Sequence, residues 1–193
     1  AVGQGVGTAA ALATHNSILP SQIASNEVLM CSIQQRLRRD DAFLIGCSDD
    51  AVGGELHSTQ ISTSSEQLGG EADNFLSGQT RCVHGARGVS PERADEGFHR
   101  WMSAPTELPA SIRFNWPTPQ SIRAIELVFD TGMHRHLTLS HHDGYTSRMI
   151  WGRPQPETVR DYAVQIIEQG DWKTLCDISG NYQRLRRHSL PEG

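Results

Sequence analysis

The sequence changes its hydrophobic period once, and this change constrains the fold more than any other feature. Up to about residue 46 apolar residues recur at the 3.6-residue spacing of helices. From about residue 59 they alternate with polar residues, as in strands that are buried on one face. The segment between Gly46 and Ser58 is rich in Asp, Gly and Ser, which is typical of a linker. We therefore predict two domains, residues 1–46 and 59–193, joined by a linker at 47–58.

The first domain is predicted to consist of helices. Residues 4–15 form one helical pattern, which breaks around residues 15–17 and at Pro20. A second pattern is capped by Ser25 or Asn26 and continues to about Arg39. Its apolar positions lie on one helical face: Val28, Leu29, Ile33 and Leu37.

The second domain is predicted to be an antiparallel β-sandwich with almost no helix. Gln169-Gly-Asp171 is a tight hairpin turn between two of its strands. Gly, Pro and Asn turns separate short strands, which favours two packed antiparallel sheets. The alternating segments are 59–64, 111–116, 122–129, 159–167, 172–178 and 182–189.

The chain opens with a glycine-dense stretch, Ala1-Val-Gly-Gln-Gly-Val-Gly-Thr-Ala-Ala-Ala11. Glycine adopts positive φ at little cost and lets main-chain N–H groups approach a ligand. We therefore expect a turn that leads into an alanine helix, whose N-terminus favours negative charge. The alternative reading is a flexible terminus followed by a packing helix.

This stretch resembles the C-terminal flavin-contacting segment of the FAD-dependent oxidoreductases, a Gly-Gln-Ala-x-Gly-Thr-Ala-Ala-Ala run. Gly5 stands where that family usually has alanine. Residues 40–44 also resemble a second sequence of the family, Asp-Gly-Ala-Phe-Leu, in which glycine stands at the position of Asp41. The resemblance implies FAD as cofactor and contacts from main-chain N–H groups to the flavin ring, where negative charge builds on reduction. The residues implied in this cofactor binding are Gly3, Gln4, Gly5 and Val6.

The second domain is similar to the discoidin-like, galactose-binding-like jelly-roll domain, especially the version appended to FAD-dependent oxidoreductases. That version carries Val-Arg-Asp-Tyr and Gly-Asn-Tyr-Gln-Arg, which appear here at 159–162 and 180–184. The resemblance implies an α+β chain: a short helical segment of a flavin-binding domain, then an all-β jelly-roll sandwich.

The G-x-G-x-x-G fingerprint that holds the ADP half of FAD does not fit residues 3–7. We therefore expect the C-terminal fragment of a larger oxidoreductase that transfers hydride to flavin, with the dinucleotide-binding portion and the catalytic residues upstream. By itself the fragment is expected to be inactive and to bind FAD weakly or not at all. The alternatives are a non-catalytic carbohydrate-binding module, and a sandwich that only supports a catalytic domain or a subunit interface.

Other patterns give weaker signals. His134, His136, His141 and His142 crowd one loop without a further ligand at metal-binding spacing, so we predict no metal site. No Gly-x-Ser-x-Gly elbow is present. Among the tryptophans, we assign Trp116 and Trp172 to the core and Trp151 to the surface, where it would suit sugar stacking. The arginines at 184, 186 and 187 fit the solvent face of a last strand.

Composition excludes some partners. The net charge of −5 and a pI near 6.0 give no reason to expect nucleic acid or an anionic membrane. No apolar run reaches membrane-spanning length and no signal peptide is recognised, so the compartment stays unknown. The four cysteines form no C-x-x-C pair and are expected to be free, mostly buried thiols, with one disulfide as the alternative. A carbohydrate or another small molecule is the expected ligand of the second domain.

Overall fold

The computed structural model describes residues 2–42, 44, 59–77, 80, 99–131, 154–168 and 170–190. These residues form a mixed α+β structure of three N-terminal helices followed by small two-stranded antiparallel sheets. The chain divides into two compact units, the first with the helices and the second with the strands. A closed sandwich is not formed by the described residues.

The helical unit contains α1 (Val2–Asn16), α2 (Pro20–Ala24) and α3 (Glu27–Arg39). The Asn26 side chain caps α3 by accepting hydrogen bonds from the backbone N–H groups of Val28 and Leu29, both at 3.1 Å. The predicted second helix is therefore confirmed, with Asn26 rather than Ser25 as its cap. One side chain or more from each helix meets in a small core: Ala13, Ile23, Ile33 and Leu37.

The turn after α3 keeps a left-handed residue although no glycine is present. Asp41 has a φ of +58°, in the region that glycine adopts most readily. The N–H of Ala42 then donates to the carbonyl of Leu37, which closes the helix end. Asp41 therefore adopts a backbone conformation that glycine would also favour.

The described residues of the second unit form six strands in three antiparallel pairs. The strands are β1 (Gln60–Thr63), β2 (Ile112–Asn115), β3 (Ala124–Val128), β4 (Tyr162–Glu168), β5 (Asp171–Ile178) and β6 (Leu185–Ser189), and a 3₁₀ helix spans Ala72–Ser77. β1 pairs with β2, β3 with β6, and β4 with β5 across the predicted hairpin turn. Every strand overlaps a predicted segment, but β4 and β6 begin three residues later than predicted, β4 ends one residue later and β5 begins one residue earlier.

A short hydrogen-bonded cluster organises the loops next to β1. The Trp101 indole N–H donates to the carbonyl of Ser65 (3.0 Å), and the Ala104 N–H donates to the Ser65 hydroxyl (3.1 Å). Gly70 lies so close to Met102 that a Cβ at residue 70 would stand 2.6 Å from the Met102 Cβ. These contacts join the 64–72 segment to the 101–104 segment.

Candidate functional site

The four residues implied in flavin binding lie in the first two turns of α1. The expected glycine turn with positive φ is wrong, because α1 begins at Val2 and Gly3, Gly5 and Gly7 all have helical backbones. The N–H groups of Gly3 and Gln4 lie in the first turn, where no carbonyl four residues earlier belongs to the helix. In regular helix geometry the Val6 N–H donates to the Val2 carbonyl, so it is not free for a ligand. Val6 can contact a ligand only through its side chain, and the residue is 64% exposed. The structure thus brings the four residues together at a helix N-terminus.

Internal packing does not require glycine at these positions. An ideal Cβ built on Gly3 or Gly7 meets no atom within 4 Å. A Cβ on Gly5 would lie 3.9 Å from the Leu37 Cδ1 atom, which is an ordinary van der Waals distance. All three positions would therefore accept alanine within the described structure.

The outward side of α1 consists mostly of small residues and lacks Asp, Glu, Lys and Arg, with exposed polar side chains at four positions: Gln4, Thr14, His15 and Asn16. From Val2 to Asn16 the helix contains no Asp, Glu, Lys or Arg. Val2 is 83% exposed, and Ala10 and Ala11 are also exposed. A helix on the surface of a soluble protein normally places charged residues on its outer face. This face of α1 is thus unusual for a surface that stays in water.

The two family-like motifs of the second unit are hydrogen-bonded to each other. The Asn181 side chain, in a residue only 2% exposed, donates to the carbonyls of Val159 (2.8 Å) and Gln183 (3.1 Å). The Asn181 backbone N–H donates to the carbonyl of Arg160 at 2.7 Å. The segments 159–161 and 180–183 are therefore adjacent loops, which is why the strands begin later than predicted.

Asp161 adds a second link between these loops. Its carboxylate accepts from the Arg160 guanidinium (2.7 Å), from the Gly180 N–H (2.9 Å) and from the Ser179 hydroxyl (3.1 Å). The hydrogen bond from Arg160, followed by that from Gly180, lowers the pKa of Asp161 to about 2. Gly180 has a φ of +70°, which favours glycine at this point of the turn.

Side chains also connect β4 with the β3–β6 pair. The Tyr162 hydroxyl and the Nε2 atom of His188 are 2.8 Å apart, and the Tyr162 ring packs 5.0 Å from that of Phe129 between centroids. Arg184 donates to the carbonyl of Phe129 (3.0 Å) and to that of Thr80. The solvent-face prediction for Arg184 is therefore wrong, whereas Arg187 is exposed and pairs with Glu126.

The tryptophan assignments were only partly right. Trp172 is 57% exposed, so its assignment to the core is wrong. Trp116 is half-buried and stacks on Phe114, with 6.2 Å between the ring centroids. Trp151 lies outside the described residues. Trp172 pairs with Ile167, which is exposed as well, so both side chains lie on the outer face of the β4–β5 hairpin.

The remaining reactive side chains are histidines and cysteines. The histidine loop at 134–142 lies outside the described residues, and within the described ranges no group of three or more His, Cys, Asp or Glu side chains is placed to hold a metal. Cys31 and Cys176 are free, as predicted, but Cys31 is exposed on α3 and Cys176 is only half-buried, so the prediction of buried thiols is wrong for Cys31. Cys47 and Cys82 lie outside the described residues. In the part of the chain that the structure describes, the helices are too short or too polar to cross a bilayer.

Comparison of the chain with protein-family models, with curated protein sequences and with solved structures gave no significant match.

Proposed function

We propose that the helical unit is the flavin-contacting end of an FAD-dependent oxidoreductase, and that the unit beginning at residue 59 is its accessory domain. FAD would be held mainly by a dinucleotide-binding portion outside this chain, since the G-x-G-x-x-G fingerprint does not fit residues 3–7. Gly3 and Gln4 would direct N–H groups at the flavin ring and stabilise the charge of the reduced cofactor. The resemblance implies hydride transfer to flavin as the reaction.

The glycines of α1 carry this proposal. Glycine in a helix costs about 0.5–1 kcal/mol relative to alanine. Alanine at residues 3 and 7 would meet no atom within 4 Å, so the fold alone would gain from it. Close approach of a flat ligand to the backbone gives a reason for glycine that internal packing does not give.

The uncharged outer side of α1 supports the same conclusion. Burial of Lys, Arg, Asp or Glu without a partner is costly, so a helix surrounded by protein and cofactor lacks them. α1 lacks them over all of its 15 residues, although Val2 and Val6 are exposed in this chain. We infer that a further domain and the cofactor cover this side in the complete enzyme.

For the second unit we propose a discoidin-like jelly-roll sandwich. Two observations support it. Six short antiparallel strands overlap the expected segments, and β3 pairs with β6 although the β4–β5 hairpin lies between them in sequence, a non-consecutive pairing of the kind that Greek-key sandwiches contain. The mutual hydrogen bonds of the 159–161 and 180–183 loops give a structural role to the two motifs on which the resemblance depends.

The decisive measurement is the flavin content of the protein produced together with the coding sequence upstream of Ala1. We expect bound FAD in that product and none in the 193-residue chain alone. A carbohydrate-binding module would carry no flavin in either form. Stoichiometric flavin in the 193-residue chain would contradict the claim that the dinucleotide-binding portion lies outside it.

Variants of α1 then separate cofactor contact from helix packing. Gly7→Ala should stabilise the helical unit by about 0.5–1 kcal/mol, yet Gly7→Val should lower flavin occupancy because its side chain fills the ligand side. Gly5→Ala should keep the flavin, since its Cβ meets only the Leu37 side chain. Ser32→Ala, on the exposed side of α3, is the matched control for helix propensity. Full flavin loading with unchanged redox behaviour in Gly7→Val would remove the proposed contact.

A further inference from the structure

The β4–β5 hairpin has one continuous exposed face. Its register contains a bulge between Val164 and Gln165, which leaves one extra residue in β5. Leu175 and Cys176 both turn inward as a result, and Asp177 returns to the outer face. The outer face consists of three cross-strand pairs: Ala163 with Asp177, Gln165 with Thr174, and Ile167 with Trp172.

This face is positive at one end and negative at the other. The Arg113 guanidinium lies over the Trp172 ring, 5.3 Å from its centroid, and its Nε donates to the Asn115 side chain. No carboxylate of the described residues forms an ion pair with Arg113, and no described cation pairs with the exposed Asp177. The neutral Gln165–Thr174 pair lies between them, with the Gln165 amide donating to the Thr174 hydroxyl at 3.1 Å.

A surface of this kind is complementary to a copy of itself. Rotation by 180° about an axis that runs parallel to the face, above the Gln165–Thr174 pair, would lay a second copy on the face with the positive end of each copy opposite the negative end of the other. Isologous contacts of this type are the commonest way in which identical chains associate. Because the chain has a net charge of −5, a pairing of opposite charges has to offset the general repulsion between copies.

We propose that this face is a self-association surface, on which Arg113 of one copy pairs with Asp177 of the other and the Trp172 ring covers Ala163. The pairing gives an ion-pair partner to two charged groups that have no ion pair among the described residues. It also removes from water the two large apolar side chains that the hairpin exposes, Trp172 at 57% and Ile167 at 44%. This inference does not depend on the proposed flavin contact of α1.

The size of the face sets the expected strength. Seven paired residues in two strands cover about 23 Å by 10 Å, which is below the roughly 800 Å² per partner of a standard interface. We therefore expect a reversible dimer that dissociates at concentrations on the order of 100 µM. Higher salt should weaken it, because the Arg113–Asp177 pairs lie at the rim.

Sedimentation velocity of the 193-residue chain over a concentration series tests the proposal. Arg113→Glu and Asp177→Arg should each raise the dimer dissociation constant by about tenfold or more, and the double variant should restore it because the charges are exchanged. Arg39→Glu, at an exposed position on α3, makes the same change in net charge as Arg113→Glu and should leave the dissociation constant unchanged. Circular dichroism verifies that each variant is folded.

A chain that stays monomeric at all concentrations would overturn the proposal. A dimer that persists in Arg113→Glu, or a double variant that fails to dimerise, would overturn it as well. A monomer whose Trp172 fluorescence responds instead to an acidic peptide or a glycan would assign the face to another ligand and exclude self-association there.

Discussion

Asn181 offers the sharpest test of how the second unit is held together, because one buried side chain satisfies three backbone groups. Its amide donates to two carbonyls, and its carbonyl oxygen accepts from the Gln183 N–H at 3.2 Å. Asn181→Ala leaves all three without a partner. Each such bond contributes about 0.5–1.5 kcal/mol, and more where a group stays buried, so we expect the free energy of unfolding to fall by about 2–4 kcal/mol.

Urea unfolding followed by tryptophan fluorescence measures this loss, because all four tryptophans follow residue 100 and report on the second unit. Asn181→Asp should cost at least as much, since a carboxylate cannot donate to the carbonyls of Val159 and Gln183. Gln165→Ala removes an exposed amide with one bond and serves as control, with an expected loss within about 0.5 kcal/mol. An equally small loss in Asn181→Ala, at an unchanged denaturant slope, would refute the assigned role.

Three further predictions concern other positions. Gly70→Ala should destabilise the second unit by about 1–3 kcal/mol, because its Cβ would lie 2.6 Å from the Met102 Cβ and 2.9 Å from the Met102 backbone N. Met102→Ala keeps both of these atoms and should not restore the stability of Gly70→Ala. If it does so in the same urea assay, only the outer part of the Met102 side chain causes the clash. Asp161 has a lowered pKa of about 2, so its contribution to stability is complete well above its ordinary pKa of about 3.9 and is lost as the pH falls towards 2. Asp161→Asn should therefore show a smaller loss of Tm between neutral and acidic pH than the wild type, and an equal loss would contradict this. Asn26→Ala should cost the helical unit about 1 kcal/mol through loss of its cap, measured by helical circular dichroism during unfolding, whereas Ser25→Ala, next to the cap, should have little effect.

The candidate flavin site shows what local sequence predicts and where it fails. Periodicity and composition located a helix near residues 4–15, and α1 includes that range. The same glycines wrongly predicted a turn, because glycine permits positive φ without requiring it. Whether Gly3 and Gly7 face protein, cofactor or solvent depends on residues that are distant in sequence, so the tertiary structure decides it.

The sequence by itself determined most local elements: α1, α3 and six strand segments follow from interactions within a few residues of each other, whereas α2 was not predicted and the cap of α3 was left open between Ser25 and Asn26. The tertiary structure decided which strands pair, as with β3 and β6, and which loops meet, as with Asp161 and Gly180. It also decided that Trp172 faces outward. An alternating strand has two equivalent faces, and which one is buried depends on bulges and on packing against distant segments, neither of which the strand's own residues specify.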